Sequence, residues 1–249
     1  MKITILGSGS THGTPKINCQ CKNCISGLKR LRSGFIVETG DKNILVDPNP
    51  DIRFQLLEYP KMPDAIIATH MHFDHIGGLG DIIGEKIPLY ATKDVLDYLL
   101  GYFGYMIEEN RIDPNPIKIF QKFNIGDVEV KLFPVIHTSS PLTSVGIKIY
   151  DGSEFVYSGD TGYKLDEESL YTMKKADLLL IEATFYKEHF PTIHLRLEDT
   201  IRLTKELDPE KAIFTHISHK NLSQYDLEKY VGLIFDNVLI ARDFMQVEV

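Results

Sequence analysis

Short apolar runs, each cut off by a glycine-rich or polar stretch, recur along the whole of this chain. The first, Ile3-Thr4-Ile5-Leu6, runs into Gly7-Ser8-Gly9-Ser10 and reads as a strand followed by a turn. Residues 35–39 and 43–47 flank Gly40-Asp41 as a hairpin, and residues 144–150 and 154–157 flank Asp151-Gly152 in the same way. Further strands are expected at 65–68, 87–91, 117–120, 128–134, 177–182, 211–215, 238–241 and 244–249. Helical spacing appears at 51–57, where Asp51 fits the N-cap, and at 79–83, 92–100, 166–175 and 223–235. One more helix carries Leu197, Ile201 and Leu203 on a single face. Each half of the chain puts hairpins first and helix–strand alternation after. That order predicts an α/β protein with two sheets packed face to face and helices outside, a four-layer αββα sandwich formed by residues 1–249 as a single domain.

Composition changes little in this picture. The 249 residues are 43% hydrophobic and 25% charged, enough apolar content for a sizeable core, and no biased tract marks a linker. The longest apolar runs are strand-sized, and glycine at position 7 interrupts the N-terminus too early for a secretory signal, so the chain is read as cytoplasmic and without a membrane span. A net charge of -8, with only the short cluster Lys29, Arg30 and Arg32, provides no extended basic surface for nucleic acid. Residues 101–115, rich in Tyr, Phe and Gly, show no clear period; a substrate-covering loop, a homodimer contact and plain surface packing all fit them.

The candidate chemistry is concentrated after the run Ala65-Ile66-Ile67-Ala68, in Thr69-His70-Met71-His72-Phe73-Asp74-His75-Ile76-Gly77-Gly78. A buried strand ending in His70, His72, Asp74 and His75 delivers several ligands to one spot at a sheet edge, and the imidazole–carboxylate mix suits zinc, iron or manganese. His137, Asp160, His194 and His216 recur at later strand ends, which a sandwich can bring to the same edge. Asp47 also ends a strand, where it is expected to support the ligands from behind. His189 and His12 are weaker candidates. Gly7-Ser8-Gly9 lacks both the phosphate-loop Lys-Ser/Thr and the dinucleotide spacing, so turn glycines are the plainer reading.

All three cysteines lie together as Cys19-x-Cys21-x-x-Cys24. An odd count argues against a disulfide framework, and the spacing suits thiolate capture of one metal, for which a fourth ligand must come from elsewhere.

The run His70-x-His72-x-Asp74-His75, then His137, Asp160 within Ser-Gly-Asp-Thr, and His216 resemble the ligand pattern of the metallo-β-lactamase superfamily over nearly the whole chain. That resemblance implies a dinuclear site, with His70, His72 and His137 on one metal, Asp74, His75 and His216 on the other, and Asp160 bridging. The cysteine loop, at about residues 12–27, and His216-x-x-His219 are similar to the phosphodiesterase branch that contains the carbon–phosphorus lyase accessory protein PhnP. There, Cys19, Cys21, Cys24 and His219 would hold a separate structural zinc. The PqqB branch shares the cysteine loop and a stretch like Pro50-Asp51-Ile52-Arg53, but its ligand run is degraded where this one is intact.

Two cations roughly 3.5–4 Å apart share a hydroxide whose pKa falls toward about 7, and they neutralise charge on the phosphoryl oxygens. The resemblance makes Asp74 an orienting group for that hydroxide. It makes His194, in His194-Leu-Arg-Leu-Glu-Asp, the general acid for the leaving group, against the plainer role of a capping or surface histidine. The expected activity is hydrolysis of small or cyclic phosphodiesters, such as ribose or nucleoside cyclic phosphates. A tRNA 3′-end endonuclease would need a long basic arm that is not evident. A PqqB-like maturation or carrier protein would not need the intact ligands. A β-lactamase is disfavoured by the cytoplasmic reading and by Asp74 with His194.

Overall fold

A computed structural model describes all residues except 83–85, 110, 138–141 and 188–192, and the side chain of residue 107. Its elements in chain order are β1 (Lys2–Gly7), α1 (Lys22–Ile25), β2 (Gly34–Thr39), β3 (Lys42–Val46), α2 (Ile52–Glu58), β4 (Ala65–Ile67), α3 (Phe73–Ile76), β5 (Ile87–Ala91), α4 (Lys93–Phe103), α5 (Tyr105–Glu108) and β6 (Ile112–Pro116). The second half adds β7 (Lys122–Ile125), β8 (Val128–Pro134), β9 (Val145–Tyr150), β10 (Glu154–Tyr157), α6 (Glu167–Met173), β11 (Leu178–Glu182), α7 (Leu197–Leu207), β12 (Lys211–Thr215), α8 (Gln224–Gly232), β13 (Val238–Ile240) and β14 (Met245–Glu248).

The strands form two seven-stranded sheets, ordered β14-β1-β2-β3-β4-β5-β6 and β13-β12-β11-β10-β9-β8-β7. Both are mixed, antiparallel through the hairpins and parallel where helices intervene. The two closing strands part company: β13 joins β12 in the second sheet, and β14 crosses back to pair with β1 in the first.

Three apolar layers hold the sandwich together, and strand periodicity explains them. In β2 and β3, Phe35, Val37, Ile44 and Val46 face the opposite sheet, while Ile36 and Leu45 face the helices. In β11 and β12, Leu178, Leu180 and Ile213 face inward, while Leu179, Ile181 and Phe214 pack under α7 and α8. Both faces of these strands are covered, which is why their sequences are apolar throughout rather than alternating. Across the central layer the Phe35 ring meets Phe155 and Tyr157 edge-on at 5.5 and 4.9 Å. Among the described residues no helix is long and apolar enough to cross a membrane.

Three local expectations are corrected. Residues 117–120 form no strand; the strands lie on either side, at β6 and β7. Pro114 and Pro116 disguise β6, which tolerates them because among the described residues it is the sheet's last strand, paired on one side only. Asp51 precedes α2 but makes no cap bond, because its carboxylate accepts instead from the Arg32 guanidinium and backbone N–H, both at 2.8 Å. The region 101–115 is ordered structure in its described part, comprising the end of α4, α5 and β6.

Candidate metal centre

Parallel pairing aligns the strand ends that carry the chemistry. In the first sheet Val46 pairs with Ile67, so Asp47 lies beside the chain leading to the histidine cluster. In the second sheet Glu182 pairs with Thr215, one residue before His216. The backbone N–H of Val145 donates to the Thr69 carbonyl at 3.1 Å and ties the two edges together. Two glycines permit the close approach. A Cβ at Gly78 would lie 2.0 Å from the Asn49 carbonyl oxygen, and one at Gly159, whose φ is +62°, would lie 2.4 Å from that of Val145. Asp47 and His216 themselves turn through the left-handed region, with φ of +58° and +54°, a conformation costing about 1 kcal/mol or more that clusters at functional sites.

The predicted ligands converge. His72 Nδ1 stands 3.1 Å from His70 Nε2 and 2.9 Å from His137 Nε2, so three ring nitrogens point at one another. A second group joins Asp74, His75, Asp160 and His216. Asp160 Oδ2 is 3.2 Å from both His75 Nε2 and His216 Nε2 and 3.8 Å from His137 Nε2, which places this one carboxylate between the two groups. Asp74 Oδ2 is 3.5 Å from His75 Nε2 and 3.9 Å from His216 Nε2.

His194 is the exception to the strand-end expectation: it sits in the loop before α7. The strand end that faces it belongs to Glu182, whose two carboxylate oxygens each lie 3.1 Å from His194 Nδ1. The sequence reading assigned no role to Glu182, although a carboxylate closing the apolar run Leu178-Leu179-Leu180-Ile181 is the same signal that marked Asp47. Thr69 and Thr184 were also missed. Thr69 Oγ1 lies 2.9 Å from His70 Nδ1 and donates to Asp47, while Thr184 Oγ1 lies 2.9 Å from His216 Nδ1 and donates to Glu182. Asp47 Oδ2 lies 2.8 Å from His75 Nδ1, and His137 Nδ1 is 2.8 Å from the Ile193 carbonyl. Each of these histidines is thus fixed from behind and presents its other nitrogen to the cleft, as metal-binding imidazoles do.

The electrostatics test whether metals fit. Burial drives His70 well below its ordinary pKa, reinforced by its histidine neighbours, and it also lowers His72 and His137. Those three are neutral, the ligating form. Burial acts the same way on His75, but the charges of Asp160 and Asp47 outweigh it and hold the pKa well above the ordinary value. Burial opposes ionisation of Asp74 and Asp160, yet the surrounding histidines hold both well below the usual carboxylate range. A site that forces a proton onto a buried imidazole between carboxylates has an unmet demand for positive charge. His75 Nε2, His216 Nε2 and Asp160 Oδ1 are buried without hydrogen-bond partners among the described residues, and divalent cations would satisfy all three.

The cysteine loop brings a third group together. Cys19 Sγ and Cys21 Sγ are each 3.4 Å from His219 Nδ1, and the four ligand atoms, Cys24 Sγ included, lie within 4.8 Å of one another. All three cysteines are free. Asn23 Nδ2 donates to the carbonyls of His219 and Asn221 at 3.1 and 2.8 Å, which pins the loop to the chain after β12. Among the described residues His12 joins none of these groups; its ring lies 6.4 Å from that of His219. His189 lies outside the described residues.

The family model described as "Beta-lactamase superfamily domain" matches residues 42–217, so the chain belongs to the metallo-β-lactamase superfamily of metal-dependent hydrolases. Within the superfamily it resembles PhnP. The crystal structure of a new diphosphatase from the PhnP family superposes with a TM-score of 0.88 at 29% identity, covering 100% of this chain and 97% of that one. The probable metallo-hydrolase YhfI of Bacillus subtilis is 25% identical over 97% of both chains. An octanoyltransferase of Porphyromonas gingivalis is 29% identical over 88% of this chain, which spans only 46% of that protein's length.

Proposed function

We propose that the protein hydrolyses small or cyclic phosphodiesters, ribose and nucleoside cyclic phosphates among them, using two divalent cations in the cleft (zinc, manganese or iron) and a structural zinc on the cysteine loop. The observation that carries this reading is the position of Asp160 Oδ2, 3.2 Å from His75 and His216 and 3.8 Å from His137. One carboxylate shared between two nitrogen-rich groups is the arrangement a cation pair requires. His70, His72 and His137 would hold one cation, Asp74, His75 and His216 the other, and Asp160 both. Such cations supply Lewis acidity toward phosphoryl oxygens and acidify water enough to make a nucleophile at neutral pH.

The chain's own residues do the remainder. Asp74, kept ionised by its histidine neighbours, accepts a hydrogen bond from the attacking water and orients it. His194, with burial outweighed by Glu182, titrates at about 9 and is protonated at neutral pH, ready to donate to the leaving oxygen. Thr69, Thr184, Asp47 and Glu182 hold the imidazoles in the tautomers this division of labour needs. Cys19, Cys21, Cys24 and His219 would hold the loop at residues 12–27, whose His12 and Lys16 line one cavity together with His194. Resemblance to a PhnP-family diphosphatase supports phosphoryl hydrolysis and brings a diphosphate linkage in as a second substrate class.

The test is a panel of cyclic phosphodiesters, linear phosphodiesters and nucleotide diphosphates, assayed after zinc, manganese or iron loading. Turnover of diesters, lost on chelation and regained with metal, supports the reading. Turnover of diphosphates alone would replace it with the second class, and inertness toward the whole panel would remove both.

A further inference from the structure

The two sides of the metal centre differ in kind. On the His194 side, a cavity of about 180 Å³ is lined by Lys16, Lys220, His12 and Ser218. On the His72 side, a cavity of about 380 Å³ is lined by His72, Phe73, Ile76, Tyr98, Tyr102 and Phe103. His137 stands between, its ring 4.7 Å from that of His72 and 4.6 Å from that of His194. Among the described residues that line the apolar cavity, none is Lys, Arg, Asp or Glu.

From this we infer that the cleft between α3 and α4 is a subsite for a planar heteroaromatic ring, so that nucleoside esters are preferred over esters of the bare sugar. The inference rests on the phosphodiesterase reading and names the substrate class of that same site. Phe73 and Tyr102 leave 69% and 66% of their surface exposed, an arrangement that core packing does not explain, and they line the same cavity as the candidate metal ligand His72. The Phe73 ring lies directly over Gly77, where any Cβ would come within 2.6 Å of it, so the glycine fixes the ring's place on the cleft wall. Across the cleft the Tyr98 and Tyr102 rings lie 5.1 Å apart, with their hydroxyls 3.4 Å from each other, which sets two polar tips at the edge of an aromatic wall. Aromatic walls favour a flat partner by offset stacking, and the hydroxyls match ring nitrogens and exocyclic groups. The volume is that of a small-molecule pocket, and the uncharged lining leaves the phosphate to the metal centre.

The test compares metal-loaded full-length protein with Tyr102→Ala and Tyr102→Phe. The substrates are adenosine 2′,3′-cyclic phosphate and the ring-free glycerol 1,2-cyclic phosphate. Wild type should favour the adenosine ester. Tyr102→Ala should shrink the ratio of the two kcat/KM values by roughly tenfold or more, through KM for the adenosine ester, and Tyr102→Phe should restore most of it. Equal losses on both esters would overturn the subsite. Calorimetric binding of adenosine monophosphate gives a readout independent of turnover: binding weakened in Tyr102→Ala and kept in Tyr102→Phe supports the subsite even if neither ester is hydrolysed, a result that would sink only the phosphodiesterase reading. No adenosine-dependent difference, or a change from dimer to monomer as the sole effect of Tyr102→Ala, would overturn it.

Discussion

His194 Nδ1 lies 3.1 Å from each carboxylate oxygen of Glu182. Glu182 is itself completely buried and also accepts from the backbone N–H of Thr161 at 2.5 Å and of Leu195 at 3.2 Å. Its negative charge overcomes the burial of His194 and raises that imidazole to about 9. A proton donor with a raised pKa works below that pH and fails as pH rises through it. Activity should therefore persist to about pH 9 and fall above it. Glu182→Gln should move this alkaline limb down toward the ordinary histidine range, about 6.5. An unchanged limb in that variant would remove the pairing from the mechanism.

The proton is needed most by a poor leaving group. His194→Ala should slow an alkyl diester by about 10²–10⁴-fold and an activated aryl ester far less. Equal losses on the two esters would show that His194 positions substrate rather than protonating the departing oxygen.

Asp47 touches no ligand atom in the cleft, yet it holds His75 Nδ1 at 2.8 Å and the Thr69 hydroxyl that backs His70. Asp47→Asn should lower metal affinity or activity by roughly 10–100-fold while leaving the fold in place. Titration of apo-protein with zinc measures the first and circular dichroism the second; an affinity equal to wild type would contradict the supporting role.

Most of the architecture could be read from the sequence because strands covered on both faces are continuous apolar runs, as in Ala65-Ile66-Ile67 and Leu178-Leu179-Leu180-Ile181. The edge strand β6 was not legible: Ile112-Asp113-Pro114-Asn115-Pro116 has the composition of a turn, and only its pairing with β5 makes it a strand. The candidate metal ligands stood out because chemistry at strand ends is local to the sequence. Glu182, Thr69 and Thr184 did not, since their roles are set by partners in space, up to 32 residues away for Thr184 and His216. The aromatic cleft is likewise a product of α3 meeting α4, which no periodicity within either helix reveals.

The cysteine loop has few apolar anchors; Ile17 and Ile25 expose 88% and 65% of their surface. A metal held by Cys19, Cys21, Cys24 and His219, as proposed, would couple binding there to the loop's order. Cys21→Ser should remove one bound metal per chain and lower the thermal midpoint measurably. A midpoint equal to wild type would show that the loop is held by Asn23 and its backbone bonds alone.

Elsewhere the fold rests on contacts between sheets. Phe35→Ala removes a ring that meets both Phe155 and Tyr157, and should cost about 3–5 kcal/mol in denaturant unfolding. A loss below about 1 kcal/mol would mean that the central layer closes over the cavity.

The proposal stands or falls on how many cations the buried histidines and carboxylates hold. Elemental analysis of purified, metal-reconstituted wild-type protein should find about three divalent ions per chain, a pair in the cleft and one on the cysteines. Asp160→Asn should lose ions from the pair while keeping the one on the cysteines. A stable, correctly folded protein that binds only a single ion, or none, would contradict a dinuclear centre bridged by Asp160.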